Sequence, residues 1–126
     1  DFIPLFKKNR SIINLQYGDI RKDLDKIKFY KKNIILLKDV DIFNDLDSCI
    51  ALLKNLNFFI TTDNSTAHMA GALGVKTILL RPSKSSAHFY WKPKDGFSIW
   101  YKSVKVIDIK GSVSKVINAI DKIISK

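Results

Sequence analysis

Residues 61–74 contain most of the side chains in this chain that could bind or transform a ligand. The segment begins with hydroxyl, carboxyl and amide side chains, continues with a histidine, and ends in small residues up to Gly74. Hydroxyl and amide groups, together with the free N–H groups of a helix start, can donate hydrogen bonds to an anion. One interpretation is therefore a cradle for a diphosphate. Its candidate binding residues are Asp63, Asn64, Ser65, Thr66 and His68.

The same residues have a purely structural alternative. Asp, Asn, Ser and Thr are also the best helix N-caps, so the turn could simply begin a helix. His68 would need only one hydrogen bond as a core or surface residue. The small residues Gly71 and Gly74 favour the cradle, because they let the helix pack closely and bring its first turn near a ligand.

Short apolar runs alternate along the chain with segments whose apolar residues recur at helical spacing. The strands and helices that they predict must position this turn. Continuous apolar runs predict strands at 12–15, 34–37, 58–60, 77–80 and 104–109. Apolar residues at helical spacing predict helices at 20–27, 46–53, 65–73 and 113–124. Residues 83–97 are predicted to form a long polar loop. Apolar strands that alternate with helices favour an α/β, three-layer domain with a mainly parallel sheet of about five strands.

Ligands of such sheets bind beyond the carboxyl ends of the strands, so the loops that follow the strands are candidate sites. The loop after the first strand carries Gln16 and Tyr17, which we predict to contact the ligand. The loop after the second strand ends at Asp45, whose carboxylate could hold ribose hydroxyls or cap the next helix. Three aromatic residues could stack on a base or sugar, namely Trp91, Trp100 and Tyr101. Trp100 and Tyr101 could pack against the sheet edge instead.

Composition limits the classes of protein that the chain can belong to. With 126 residues and 46% apolar residues, we expect one domain, spanning 1–126, with a real core. The net charge of +10 could attract nucleic acid. The positive charges are nearly all lysines scattered along the chain, however, so nucleic acid is not the expected partner. No apolar run approaches the roughly 20 residues of a transmembrane segment. The single Cys49 predicts a reducing, cytoplasmic location, and the start at Asp1 predicts a piece of a longer protein.

Several familiar catalytic motifs are missing from the sequence. It has no Walker A pattern, no Gly-x-Ser-x-Gly and no Rossmann glycine fingerprint, which argues against a dehydrogenase. No His or Cys cluster has the spacing of metal ligands. We therefore predict neither a metal nor a cofactor.

Three segments resemble the C-terminal half of a GT-B glycosyltransferase. They are residues 14–19 (Asn-Leu-Gln-Tyr-Gly-Asp), residues 45–74, and the pair Trp100-Tyr101. The likeness is to the heptosyltransferase-like family (glycosyltransferase family 9) and to related domains attached to tetratricopeptide repeats. It extends from residue 12 to residue 107 and is most specific in the Asp-x-x-x-Ala-His-x-Ala-Gly-Ala-Leu-Gly pattern that begins at Asp63.

This resemblance implies a Rossmann-like domain that binds a nucleotide-diphosphate sugar, with the diphosphate at the turn from Asp63 to Thr66. It implies metal-independent hexosyl or heptosyl transfer, although Lys76 stands where the family commonly has Pro. The acceptor, and usually the catalytic base, would belong to an N-terminal domain or repeats outside this chain, so we expect the fragment alone to be inactive. The alternatives are a non-catalytic protein-interaction module of the same fold, a basic nucleic-acid-binding domain, and another doubly wound nucleotide binder such as an epimerase of the GT-B type.

Overall fold

A computed structural model describes residues 3–6, 10–16, 18–37, 40–42, 44–82, 89–110 and 112–125 of the chain. The chain divides into two compact units, Asp1–Cys49 and Ile50–Lys126.

The first unit contains one small parallel sheet and short helices. Strands β1 (Ile12–Asn14) and β2 (Ile34–Leu36) pair in parallel, with Ile12 opposite Ile34. The helices of this unit are α1 (Ile3–Phe6), α2 (Arg21–Lys26) and a 3-10 helix (Lys28–Asn33). Helix α2 has no buried residue, so the apolar stripe predicted at 20–27 is not a core face within the described residues.

Helix α3 (Leu46–Lys54) crosses the division between the units. Its apolar stripe buries Cys49 and Leu53, one turn apart, as the helical spacing predicts. Burial raises the pKa of the Cys49 thiol, as expected for a packed cysteine rather than a nucleophile.

The second unit contains a five-stranded sheet with the order β3-β4-β7-β6-β5. Strands β3 (Phe59–Thr61), β4 (Thr77–Pro82) and β7 (Val104–Ile109) are parallel neighbours. Strands β5 (Pro93–Lys94) and β6 (Phe97–Ser98) form an antiparallel hairpin that joins β7. The helices are α4 (Ser65–Ala72), α5 (Val113–Ile124) and a 3-10 helix (Phe89–Trp91).

The predicted α/β class is confirmed, but the arrangement of the strands differs from the prediction. All five predicted strands form, yet β1 and β2 make a sheet of their own, and the larger sheet is mixed because it includes the hairpin. The hairpin lies in the segment that the sequence analysis took as loop. Its strands have two residues each, too short for a periodic signal, and they are joined at Asp95 and Gly96, whose φ angles are 54° and 82°.

The core of the second unit is formed by β4, α5 and residues near the candidate turn. The residues of β4 from Thr77 to Leu80 are all buried. Helix α5 buries Val116, Ile117 and Ile120, which confirms the middle of its predicted stripe, whereas Val113 at its start is 40% exposed. A buried cluster joins α4 to the sheet and the 3-10 helix through Ala67, Leu79, Trp91, Val104 and Val106. Within the described ranges, no helix combines the length and apolarity needed to cross a membrane.

Candidate functional site

The candidate turn joins β3 to α4 at the carboxyl end of a parallel strand. Asn64 is the N-cap of α4, with extended backbone angles (φ −156°, ψ 173°). Its Oδ1 accepts a hydrogen bond from the Ala67 N–H at 3.0 Å, and its Nδ2 donates to Thr61 Oγ1 at 3.0 Å. The capping role is therefore filled by Asn64, whose side chain also fixes the helix start to the end of β3.

Ser65 and Thr66 occupy the first two positions of α4 and have hydrogen-bonding groups to spare. Ser65 is exposed and Thr66 half-buried. Among the described residues, neither hydroxyl has a hydrogen-bond partner, and neither backbone N–H has one, because the cap serves Ala67. Two N–H groups and two hydroxyls thus remain for water or a ligand at the positive end of the helix dipole.

Asp63 is bound by a buried tryptophan. Its Oδ1 accepts a hydrogen bond from Trp91 Nε1 at 2.7 Å, and Trp91 is 0% exposed. The bond ties the 3-10 helix to the turn and directs that oxygen toward the protein. The suggestion that Trp91 stacks on a ligand is wrong, because its ring is enclosed in the core.

His68 lies in a cluster of aromatic rings. Its ring centroid is 4.5 Å from that of Trp91 and 5.3 Å from that of Tyr90, and its Nδ1 is 3.2 Å from Tyr101 Oη. Nε2 has no hydrogen-bond partner among the described residues and is not a buried atom, so it reaches solvent. When Tyr101 donates to Nδ1, Nε2 carries the ring proton and is a donor at the surface.

Tyr101 also explains one of the small residues of α4. A Cβ atom on Gly71 would lie 2.5 Å from Cγ of the Tyr101 ring, which is closer than two carbon atoms can approach. Gly71 therefore makes room for the ring that contacts His68. Of the other two aromatic candidates, Trp100 is 63% exposed and available to a ligand, whereas Tyr101 packs against the core cluster.

Arg81 and Asp108 form an ion pair near the carboxyl ends of β4 and β7. They are opposite each other in the strand register, with Arg81 Nε 2.6 Å from Asp108 Oδ1. The guanidinium lowers the pKa of Asp108, and the carboxylate raises that of Arg81. Arg81 Nη1 also donates to the Trp91 carbonyl at 3.4 Å. The ion pair is therefore linked to the residue whose indole donates to Asp63. This pair was not predicted from the sequence, where the position of Arg81 at a strand end is its only signal.

Tyr90 adds a second titratable group close to the turn. Burial, followed by the negative charge of Asp63, raises the pKa of its hydroxyl. Tyr90 therefore stays protonated at neutral pH and can act as a neutral hydrogen-bond donor.

The remaining predicted residues belong to the first unit. Gln16 is exposed just after β1, and Tyr17 lies outside the described residues. Asp45 caps α3, because its carboxylate accepts the Ser48 N–H at 3.0 Å and the Ser48 hydroxyl at 2.6 Å. These two bonds lower the pKa of Asp45. The structural alternative for Asp45 is therefore observed. Ribose binding by Asp45, and contact of Gln16 and Tyr17 with the ligand, stay predictions.

In the part of the chain that the structure describes, no three His, Cys, Asp or Glu side chains come close enough together to hold a metal ion. Comparison with protein-family models, with curated proteins and with solved structures found no match to this chain.

Proposed function

We propose that the chain is the donor-binding domain of a metal-independent glycosyltransferase, the C-terminal half of a GT-B fold. The diphosphate of a nucleotide sugar binds at the β3–α4 turn, and the acceptor binds in another part of the full protein. The proposal rests on the likeness of residues 61–74 to the donor motif of heptosyltransferase-like enzymes and on the groups that the turn offers.

One observation carries the proposal. Asn64 caps the helix and Trp91 binds Asp63, whereas the N–H groups and hydroxyls of Ser65 and Thr66 remain unused. Free N–H groups occur in the first turn of any helix, so the distinguishing feature here is that two hydroxyls without hydrogen-bond partners among the described residues stand beside them. Four spare donors at a helix N-terminus, beyond the carboxyl end of a parallel strand, match the needs of a phosphate group.

The proposed chemistry follows from these donors. Negative charge develops on the leaving diphosphate during sugar transfer, and fixed N–H and O–H groups stabilise it without reorganising. His68 contributes through Nε2, which can donate a hydrogen bond to the same anion when Tyr101 holds Nδ1. A base from the acceptor side would remove the proton of the acceptor hydroxyl.

Calorimetric titration with UDP, ADP and GDP tests this function. We expect the chain to bind at least one of them with a Kd between about micromolar and millimolar. Ser65→Phe should abolish binding, because the ring fills the space in front of the helix N-terminus while the exposed position leaves the core intact.

The matched control is Ser114→Phe in the first turn of α5, another exposed serine at a helix start. It should bind like the wild type. No binding of any nucleoside diphosphate, or equal loss in both variants, would contradict the proposal. Salt-sensitive RNA binding in its place would favour the nucleic-acid alternative.

A further inference from the structure

Exposed apolar residues lie in β6 and in the connection from β6 to β7. Phe97, Ile99 and Trp100 are 42%, 55% and 63% exposed, and we call these three residues the hairpin patch. Single exposed apolar residues are common on protein surfaces, whereas three large ones within four positions are a candidate interaction site.

The turn that carries the hairpin patch is fixed by hydrogen bonds. Ser98 is buried, and its Oγ accepts the N–H groups of Trp100 at 3.2 Å and Tyr101 at 3.4 Å. The Val104 N–H donates to the Tyr101 carbonyl at 3.0 Å and closes the turn onto β7. The buried Ser98 at the end of β6 therefore fixes the backbone of the turn that carries the exposed Ile99 and Trp100.

Positive charge surrounds the patch. Lys94 and Lys102 line one groove together with Phe97 and Ile99, and Lys105 Nζ lies 5.5 Å from the centre of the Phe97 ring. Asp95 is the one carboxylate among the residues that line this groove. The groove thus combines Phe97 and Ile99 with an excess of lysines, and Trp100, which carries an amphipathic indole, directly follows Ile99 in the chain.

We propose that the hairpin patch docks the chain onto an anionic lipid surface. Trp, Phe and Ile side chains enter the boundary between headgroups and acyl chains, while lysines beside them contact anionic headgroups. The net charge of +10 adds long-range attraction to the same surface.

Two other occupants fit the observations less well. A second copy of the chain would bring the same lysines together, and like charges repel. An acidic protein would match the charge but would need a pocket for each protruding side chain, whereas a bilayer receives apolar side chains without a matching shape. This inference is independent of the proposed function, although Trp100 directly precedes Tyr101, the partner of His68.

Tryptophan fluorescence reports on the patch directly. The chain has two tryptophans, and Trp91 is fully buried, so a change in emission on adding vesicles comes from Trp100. We expect a blue shift with vesicles of phosphatidylcholine and phosphatidylglycerol, none with phosphatidylcholine alone, and reversal by high salt.

Vesicle co-sedimentation of variants then tests the residues. The double variant Ile99→Ser, Trp100→Ser and the charge variant Lys94→Glu, Lys102→Glu should each bind anionic vesicles at least about tenfold more weakly than the wild type. Phe29→Ser is the matched control, because Phe29 is 83% exposed with Lys28 Nζ 5.4 Å from its ring centre, and it should bind normally. Circular dichroism checks that each variant is folded.

The proposal is overturned if the wild type binds neither vesicle, or if the patch variants bind anionic vesicles as well as the wild type does. It is also overturned if the chain does not bind anionic vesicles but binds poly(U) RNA or an acidic protein through the hairpin patch. The occupant would then be a different class of macromolecule.

Discussion

Gly71 lies so close to the Tyr101 ring that the usual effect of a helical Gly→Ala change should be reversed. At a solvent-exposed position inside a helix, this change stabilises the folded state by about 1 kcal/mol. Here the new Cβ would lie 2.5 Å from the ring, so we expect Gly71→Ala to lower the free energy of unfolding by about 1–3 kcal/mol. Urea denaturation measures the difference.

The Tyr101→Ala background is the control for this prediction. Without the ring, Gly71→Ala should become neutral or stabilising, and the two substitutions should therefore be strongly coupled. If Gly71→Ala stabilises the wild-type chain, the close contact does not exist in solution.

The bond between Trp91 and Asp63 makes a second prediction at the residue scale. Trp91→Phe keeps a buried ring but removes the indole donor, so it should cost about 1–3 kcal/mol of stability. The matched control is Trp100→Phe, which changes the exposed tryptophan and should alter stability by less than about 0.5 kcal/mol.

A double-mutant cycle separates the lost hydrogen bond from the smaller ring. If the carboxylate is the partner of the indole, Trp91→Phe should cost less when Asp63 is already Ala, because alanine offers no acceptor to Nε1. Additive effects of the two substitutions would show that only packing was lost.

These contacts mark the limit of residue-scale prediction from sequence. The residue types at Asp63, Asn64 and Ser65 indicated either a helix N-cap or a diphosphate-binding turn, because both features depend only on residues that are neighbours in the sequence. The partner of Asp63 is 28 positions away, and no local pattern identifies a contact that is created only when the 3-10 helix packs against the β3–α4 turn.

At the scale of elements, the ion pair between β4 and β7 predicts a pH effect. Arg81 lowers the pKa of Asp108 from its usual 3.8, so the folded state binds the Asp108 proton less readily than the unfolded state. The stabilisation is therefore fully present above the unfolded pKa and is lost as pH falls through the lower folded pKa.

Asp108→Asn should accordingly destabilise the chain at neutral pH, and its difference from the wild type should shrink below about pH 4. Chemical denaturation over a pH series measures this, with the exposed Asp25→Asn in α2 as control. A difference that stays constant into the acid range would mean that the charge of Asp108 is not involved.

Elements with a strong pattern were predictable, and short ones were not. Helix α5 has an apolar stripe over three turns, and the burial of Val116, Ile117 and Ile120 follows from it. The β5–β6 hairpin has two residues in each strand and depends on the positive φ angles at Asp95 and Gly96. Its pairing with β7, rather than any local preference, makes it part of the sheet.

At the scale of the whole molecule, a net charge of +10 attracts any anion. Such attraction weakens as salt screens it, whereas binding that depends on fixed donors requires particular residues. The proposed diphosphate site and the hairpin patch are therefore distinguished from general attraction by their matched variants. The sequence could predict the charge, but not which surfaces combine it with spare donors or exposed apolar side chains.

The central claim is that the first turn of α4 binds a diphosphate, and backbone amide NMR tests it most directly. During titration with UDP, ADP or GDP, the amide signals of Ser65 and Thr66 should shift and saturate together. Those of Ser112 and Ser114 at the start of α5 should stay in place. Unchanged signals at Ser65 and Thr66, or equal shifts at both helix starts, would contradict the account.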